Sequence, residues 1–234
     1  MGLYIILMGV QGAGKGMQAG FINETYGIPH VSTGDIFRGL QNRTDELAQR
    51  VKAILDAGDL VDDATTNELV ADRLNEPDAE NGVILDGYPR NEVQAEFLTN
   101  YLQEKGEQVN AVILLDLNLF TAFKRAFGRV TDKETGESFN YYYKQGDVNF
   151  EVEKDADDVY PPRLVATRDG RELKRRGDDA DAMSVINRID TYLDQTMPVV
   201  EYFDSKGVVQ KIDADQSIAE VSKAIKAAID SVKS

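Results

Sequence analysis

Short apolar runs alternate along this chain with longer stretches in which apolar side chains return every three or four positions. Leu3 to Met8, Ile28 to Val31, Val83 to Leu85, Val112 to Leu115 and Val208 to Ile212 are the short runs, and each predicts a strand. Between and after them, helical spacing joins Leu47, Val51, Ile54 and Leu55, then Val93, Phe97 and Tyr101, then Val185, Ile189 and Leu193, and finally Ile218, Val221, Ile225, Ile229 and Val232. These stripes are read as core faces with no functional role. Strands that alternate with helices predict an α/β fold around a five-stranded parallel sheet, because parallel neighbours need a crossover long enough to hold a helix.

The rhythm breaks between about Val130 and Arg175. Gly136, Gly146, Pro161, Pro162 and Gly170 punctuate short aromatic or β-branched pieces such as Phe139 to Tyr143, a pattern that predicts a small β-rich insertion. The acidic run from Glu151 to Asp158 reads as a solvated face of that insertion. A length of 234 residues accommodates one substantial domain carrying such a flap.

Composition narrows the function. The hydrophobic share of 42% is that of a folded protein. A net charge of −15 argues against a general nucleic-acid binder and for an acidic, solubilising surface. An anionic substrate would then need positive charge gathered locally. The absence of cysteine excludes disulfides, thiolate catalysis and thiolate zinc sites, and the lone histidine, His30, excludes a multi-histidine metal site. Leu3 to Met8 is too short to cross a membrane and lacks the flanks of a signal peptide, so a cytosolic location is expected.

The strongest chemical signal follows the first strand: Gly9-Val10-Gln11-Gly12-Ala13-Gly14-Lys15-Gly16, leading into a predicted helix from Met17 to Tyr26. That is the setting of a phosphate-binding loop. Glycines let backbone N–H groups approach phosphate oxygens, the helix N-terminus adds positive potential, and Lys15 reaches the outer phosphates. Gly16 stands where a serine or threonine would ordinarily hold magnesium, so another group must place the metal. Asp86, closing the strand Val83 to Leu85 at its carboxyl end, is the candidate; helix capping is its alternative role.

A glycine after the lysine is usual in nucleoside-monophosphate kinases, and four further motifs follow. They are His30-Val31-Ser32-Thr33-Gly34-Asp35-Ile36-Phe37-Arg38, Gly58-Asp59-Leu60-Val61, Leu85-Asp86-Gly87-Tyr88-Pro89-Arg90 with Gln94 just beyond, and Arg125-Ala126-Phe127-Gly128-Arg129. In this order the chain resembles the adenylate kinase family, of the long-lid type without zinc ligands, from end to end and most closely before Arg129. The resemblance implies transfer of the terminal phosphoryl group of Mg-ATP to AMP, giving two ADP, by a P-loop kinase core. It implies a core of residues 1–127 and 180–234, an acceptor-binding segment 32–61, and an inserted lid 128–179.

By the same resemblance Thr33, Arg38, Asp59, Leu60, Val61, Gly87, Arg90 and Gln94 bind AMP, with Gln94 facing the purine and the two arginines holding the phosphate. Gly12, Ala13, Gly14, Lys15, Gly16, Met17, Arg125, Arg129, Ser138, Phe139 and Lys211 bind ATP. Arg176 and Arg188 complete an arginine cluster that contacts both nucleotides, and catalysis is assigned to Lys15, Arg90, Arg125, Arg129, Arg176 and Arg188. Asp86 holds Mg2+ through water, with Asp35 in support, and His30 is structural. A monomer is implied, with no nucleic acid, membrane or protein partner.

Several residues depart from the family pattern. Gln11 replaces a usual proline and Met17 a usual threonine, which predicts a handicap in ATP binding or turnover. Asp59 stands where many members have lysine. Twelve positions separate Arg176 from Arg188, one more than expected, so Arg175 is a possible substitute for Arg176. Without zinc ligands the lid must be held by packing and hydrogen bonds. The competing readings are a kinase using GTP, or accepting UMP or CMP, and a nucleotide-binding regulatory protein with little turnover. Gln94 and Thr33 favour AMP, and the retained lysine and arginines favour turnover.

Overall fold

A computed structural model describes residues 2–40, 43–56, 61–143, 147–153, 163–175, 179 and 181–233. These form two compact units, one of Met1–Gly9, Gly14–Asp116 and Asp194–Ser234, the other of Val10–Ala13 and Leu117–Leu193.

In the first unit β1 (Leu3–Met8) leads to α1 (Lys15–Tyr26), β2 (His30–Ser32), α2 (Thr33–Gly39), α3 (Glu46–Asp56) and α4 (Asp63–Leu74). Then come β3 (Gly82–Asp86), α5 (Glu92–Glu104) and β4 (Val109–Asp116). The unit's later elements are α8 (Met197–Asp204), β10 (Val209–Asp213) and α9 (Ile218–Lys233). The strands make the expected five-stranded parallel sheet, in the order β10-β4-β1-β3-β2. Every residue of β1 is buried, as befits a strand with a neighbour on each side and helices on both faces. One face packs Tyr4, Ile6 and Met8 of β1 against Leu98 and Leu102 of α5 and Phe203 of α8. Along the other, α1 lies beside α9.

Sequence chemistry sets the helix boundaries. Asp62 accepts the N–H of Thr65 to start α4, and Asn91 accepts the N–H of Gln94 to start α5. Ser217 and Glu220 bond reciprocally at the start of α9, a capping box. Two expectations shift. The second strand, expected over Ile28 to Val31, starts two residues later at His30 and ends one residue later at Ser32. The buried face of α5 is Gln94, Ala95, Leu98 and Leu102, whereas Val93 is exposed.

The second unit contains α6 (Leu119–Phe127), the antiparallel pair β5 (Arg129–Thr131) and β6 (Ser138–Asn140), the three-stranded sheet β7 (Asn149–Glu153), β8 (Arg163–Arg168) and β9 (Arg171–Glu172), and α7 (Ala182–Thr191). Of the aromatic piece Phe139 to Tyr143, only Phe139 and Asn140 lie in a strand, and Tyr141–Tyr143 form a 3-10 turn. A small core of Val130, Ala166 and Leu173, flanked by Phe139, Val148 and Phe150, fills the insertion. Ion pairs hold its rim: Arg171 to Asp132 and Glu134, and Arg168 to Glu137. Thr131 and Lys174 exchange two backbone hydrogen bonds of 2.9 Å where the chain enters and leaves the flap.

Candidate functional site

The glycine-rich loop leaves the sheet at the carboxyl end of its central strand. Lys15 opens α1, and its Nζ donates to the Gly9 carbonyl at 2.6 Å, folding the cation back over the mouth of the loop. Gly14, with φ of 94°, precedes a helix start that has no side-chain cap, which leaves the positive end of the helix to an anion. Gly12 has φ of 88°, and a Cβ there would lie 2.6 Å from the Ala122 carbonyl and 3.1 Å from Arg125 Cβ. Only glycine fits, and the same crowding sets Arg125 of α6 against the loop. Gln11 is not idle where proline was expected: its Nε2 donates to the Val185 carbonyl of α7 at 2.8 Å. Met17 is exposed on the first turn of α1.

At the carboxyl ends of β2 and β3 the register sets Ser32 beside Asp86. Half-buried Asp86 lies 3.3 Å from Nε2 of His30, so the histidine braces that carboxylate. Asp35 is in the first turn of α2. Among the described residues no group of three or more His, Asp or Glu is arranged to cage a metal. The Asp86 carboxylate is a hard oxygen donor, the chemistry that suits a magnesium ion keeping most of its shell for water and phosphate.

Thr33, Gly87, Arg90 and Gln94 are brought together. Thr33, buried at the head of α2, donates through Oγ1 to the Gly87 carbonyl at 3.1 Å, and Arg90 Nε donates to that carbonyl at 2.9 Å. Arg90 Nη2 also donates to Thr33 Oγ1 at 3.3 Å. Gly87 has φ of 76°, and a Cβ on it would lie 2.9 Å from Thr33 Oγ1. The backbone N–H of Arg90 donates to Oε1 of buried Gln94 at 2.9 Å. Arg38 is on α2, and half-buried Val61 packs against Leu40, Val51 and Leu69. Asp59, Leu60 and Arg176 lie outside the described residues.

The second unit gathers its arginines on a residue that sequence reasoning passed over. Asp179, with 0% side-chain exposure, accepts Arg188 Nη1 at 2.8 Å and both Nε and Nη2 of Arg129. It lies in an Asp178-Asp179 pair just after Arg175-Arg176, a charge pattern that would have marked it. Arg175 is committed elsewhere: its guanidinium lies 4.5 Å over the Phe127 ring and donates to the Phe127 carbonyl, and burial lowers its pKa. Asn140 was also missed. Its amide donates to the Lys124 and Arg125 carbonyls at the end of α6, steadying the turn that carries Arg125. Ser138 Oγ lies 3.2 Å from Thr131 Oγ1, and Phe139 lies under the Arg168 guanidinium at 5.0 Å. In the first unit Lys211 of β10 pairs with Asp116 at 3.1 Å.

A family model described as adenylate kinase matches residues 7–208. An adenylate kinase of Listeria innocua is 38% identical over 219 residues, covering 93% of this chain and 94% of its own. Those of Thermotoga neapolitana and Nitrosococcus oceani are 37% and 36% identical over 229 and 220 residues, each covering at least 94% of both chains.

Proposed function

Because the chain belongs to the adenylate kinase family, we propose that Thr33, Arg38, Asp59, Leu60, Val61, Gly87, Arg90 and Gln94 receive AMP, and that the loop Gly12 to Met17 receives the phosphates of ATP. The protein is an ATP:AMP phosphotransferase. A phosphate oxygen of AMP bonds to the γ-phosphorus of ATP as the bond to the β-phosphate oxygen breaks, and two ADP leave. The attacking oxygen is already anionic, so no base is needed, and the protein's task is alignment and charge stabilisation.

The observation that carries the acceptor assignment is the knot of Thr33, Gly87, Arg90 and Gln94. It fixes one guanidinium and one amide on adjoining turns, a pairing suited to a monophosphate and a purine. On the donor side, Lys15, Arg125, Arg129 and Arg188, with Arg176 as a further candidate, supply the cations that charge on the transferring group requires. Ser138, Phe139 and Lys211 complete the proposed donor contacts. Asp86, with Asp35, would hold Mg2+ through water; when bound, that ion neutralises charge on the β- and γ-phosphates. The partition into a core (1–127 and 180–234), an acceptor segment (32–61) and a lid (128–179) belongs to the same proposal. Action as a cytosolic monomer belongs to it too, and rests on the family resemblance. No helix among the described residues is long and apolar enough to cross a membrane.

The test is ADP formation from Mg-ATP with AMP, UMP, CMP or no acceptor, and from Mg-GTP with AMP. Product formation dependent on AMP and reduced at least about a hundredfold by Lys15→Ala and by Arg90→Ala is expected. Equal rates with UMP or CMP would overturn the acceptor assignment, and binding of ATP without turnover would overturn the catalytic one.

A further inference from the structure

We propose that Asp63 is a positioning residue that fixes which way the Gln94 amide faces and so sets purine choice at the acceptor site; this rests on the reading of Gln94 as the purine contact. A glutamine amide is nearly the same shape after a half-turn about its last bond, but the turn exchanges donor for acceptor. Adenine presents an N6 donor beside an N1 acceptor. Hypoxanthine presents an O6 acceptor beside an N1–H donor. An amide free to turn would greet either base.

Gln94 is not free to turn. Its Nε2 donates to Asp63 Oδ1 at 2.7 Å, and its Oε1 accepts the backbone N–H of Arg90 at 2.9 Å. A carboxylate only accepts and a backbone N–H only donates, so each partner permits one orientation and both demand the same one. The carboxylate is itself held: Asn91 Nδ2 donates to its two oxygens at 2.9 and 3.1 Å, while Asn91 Oδ1 caps α5 through the Gln94 N–H. The amide has two N–H donors and two lone pairs. The two bonds use one of each, leaving one donor and one acceptor in fixed places, the complement of a single purine edge. Asp63 is on the first turn of α4, 31 positions from Gln94, and its proposed effect on the base runs through that amide.

Replacing Asp63 by asparagine keeps the shape and breaks the polarity, because the new N–H2 must oppose a donor on Gln94 or on Asn91. The experiment compares initial ADP-forming rates from Mg-ATP with AMP and with IMP for the full-length wild type, Asp63→Asn, Asp63→Ala and Asp63→Glu, alongside thermal midpoints. The expected result is a rise of about tenfold in KM for AMP with kcat within about twofold, and a fall of about tenfold in the AMP-to-IMP ratio of kcat/KM. Asp63→Glu, which keeps the polarity, restores part of the ratio. An unchanged ratio in Asp63→Ala, or in Asp63→Leu should the alanine variant fail to fold, overturns the proposal, because neither side chain can accept from Gln94. So does a parallel loss with both nucleotides accompanied by a lower midpoint, the mark of a merely structural residue. A wild type without AMP-dependent ADP formation overturns the family reading and this one together; an active wild type with an unmoved ratio overturns only the role of Asp63.

Discussion

Replacing Asp179 with alanine should cost both stability and rate, by amounts that can be worked from its surroundings. The carboxylate is fully buried and takes one contact from Arg188 and two from Arg129. Removing one member of a buried ion pair costs roughly 3–5 kcal/mol when the remaining charge stays dry. Here the arginine side chains are 23% and 37% exposed, so both can rehydrate on release, and about 2–4 kcal/mol is the better expectation. At roughly 2–4 °C per kcal/mol for a chain of this size, the thermal midpoint should fall by about 4–16 °C. If even about 1.4 kcal/mol of the loss falls on the transition state, kcat drops tenfold. Scanning calorimetry and a coupled ADP assay at 25 °C read the two quantities independently. A midpoint within about 2 °C of wild type, together with kcat within twofold, would refute the reasoning and mean that Arg129 and Arg188 are held in place by something other than Asp179.

Gly12→Ala should weaken ATP at least about tenfold and leave AMP binding unchanged, because a positive φ costs about 1 kcal/mol or more and the added carbon meets the Ala122 carbonyl. Titration calorimetry with each nucleotide checks it, and wild-type ATP affinity would sink it. Asp132 is held below the usual carboxylate range chiefly by the backbone N–H of Glu134, with the charge of Arg171 in support. A depressed folded pKa adds stability above the unfolded value, and that stability is lost as pH falls through the folded one. Its share is therefore constant at neutral pH and begins to fade only as pH drops past about 3.9. Limited proteolysis of the flap from neutral pH into acid should show Asp132→Asn more labile than wild type at pH 7, with the difference closing in strong acid; a gap independent of pH would contradict this.

The parallel sheet was legible because strands buried on both faces read as plain apolar runs, and the phosphate loop because its parts are contiguous in sequence. Boundaries were less so. β2 ends in polar Ser32, paired with Asp86, where hydropathy gives no cue. The buried face of α5 includes Gln94, a polar residue that an apolar stripe steps over in favour of exposed Val93. In the flap, β9 is the polar pair Arg171–Glu172, secured by ion pairs and not by apolar pattern. The same limit applies to the candidate site. Motif residues could be found one by one, but Asp179, Asn140 and Asp63 matter through partners 50, 15 and 31 positions away. Local spacing carries no trace of such pairings.

The paired hydrogen bonds between Thr131 and Lys174 have a consequence for how this chain can change length. They join the two ends of the flap, so residues added between them enlarge a loop that is already closed. The closure entropy of such a loop grows only logarithmically, about 0.6 kcal/mol for each doubling. Growth away from Asn140, whose amide reaches out of the flap to α6, leaves the contacts outside the neck in place. The flap is thus a place where this chain can gain or lose sequence at little cost to the sheet, provided the two strands at its base still meet.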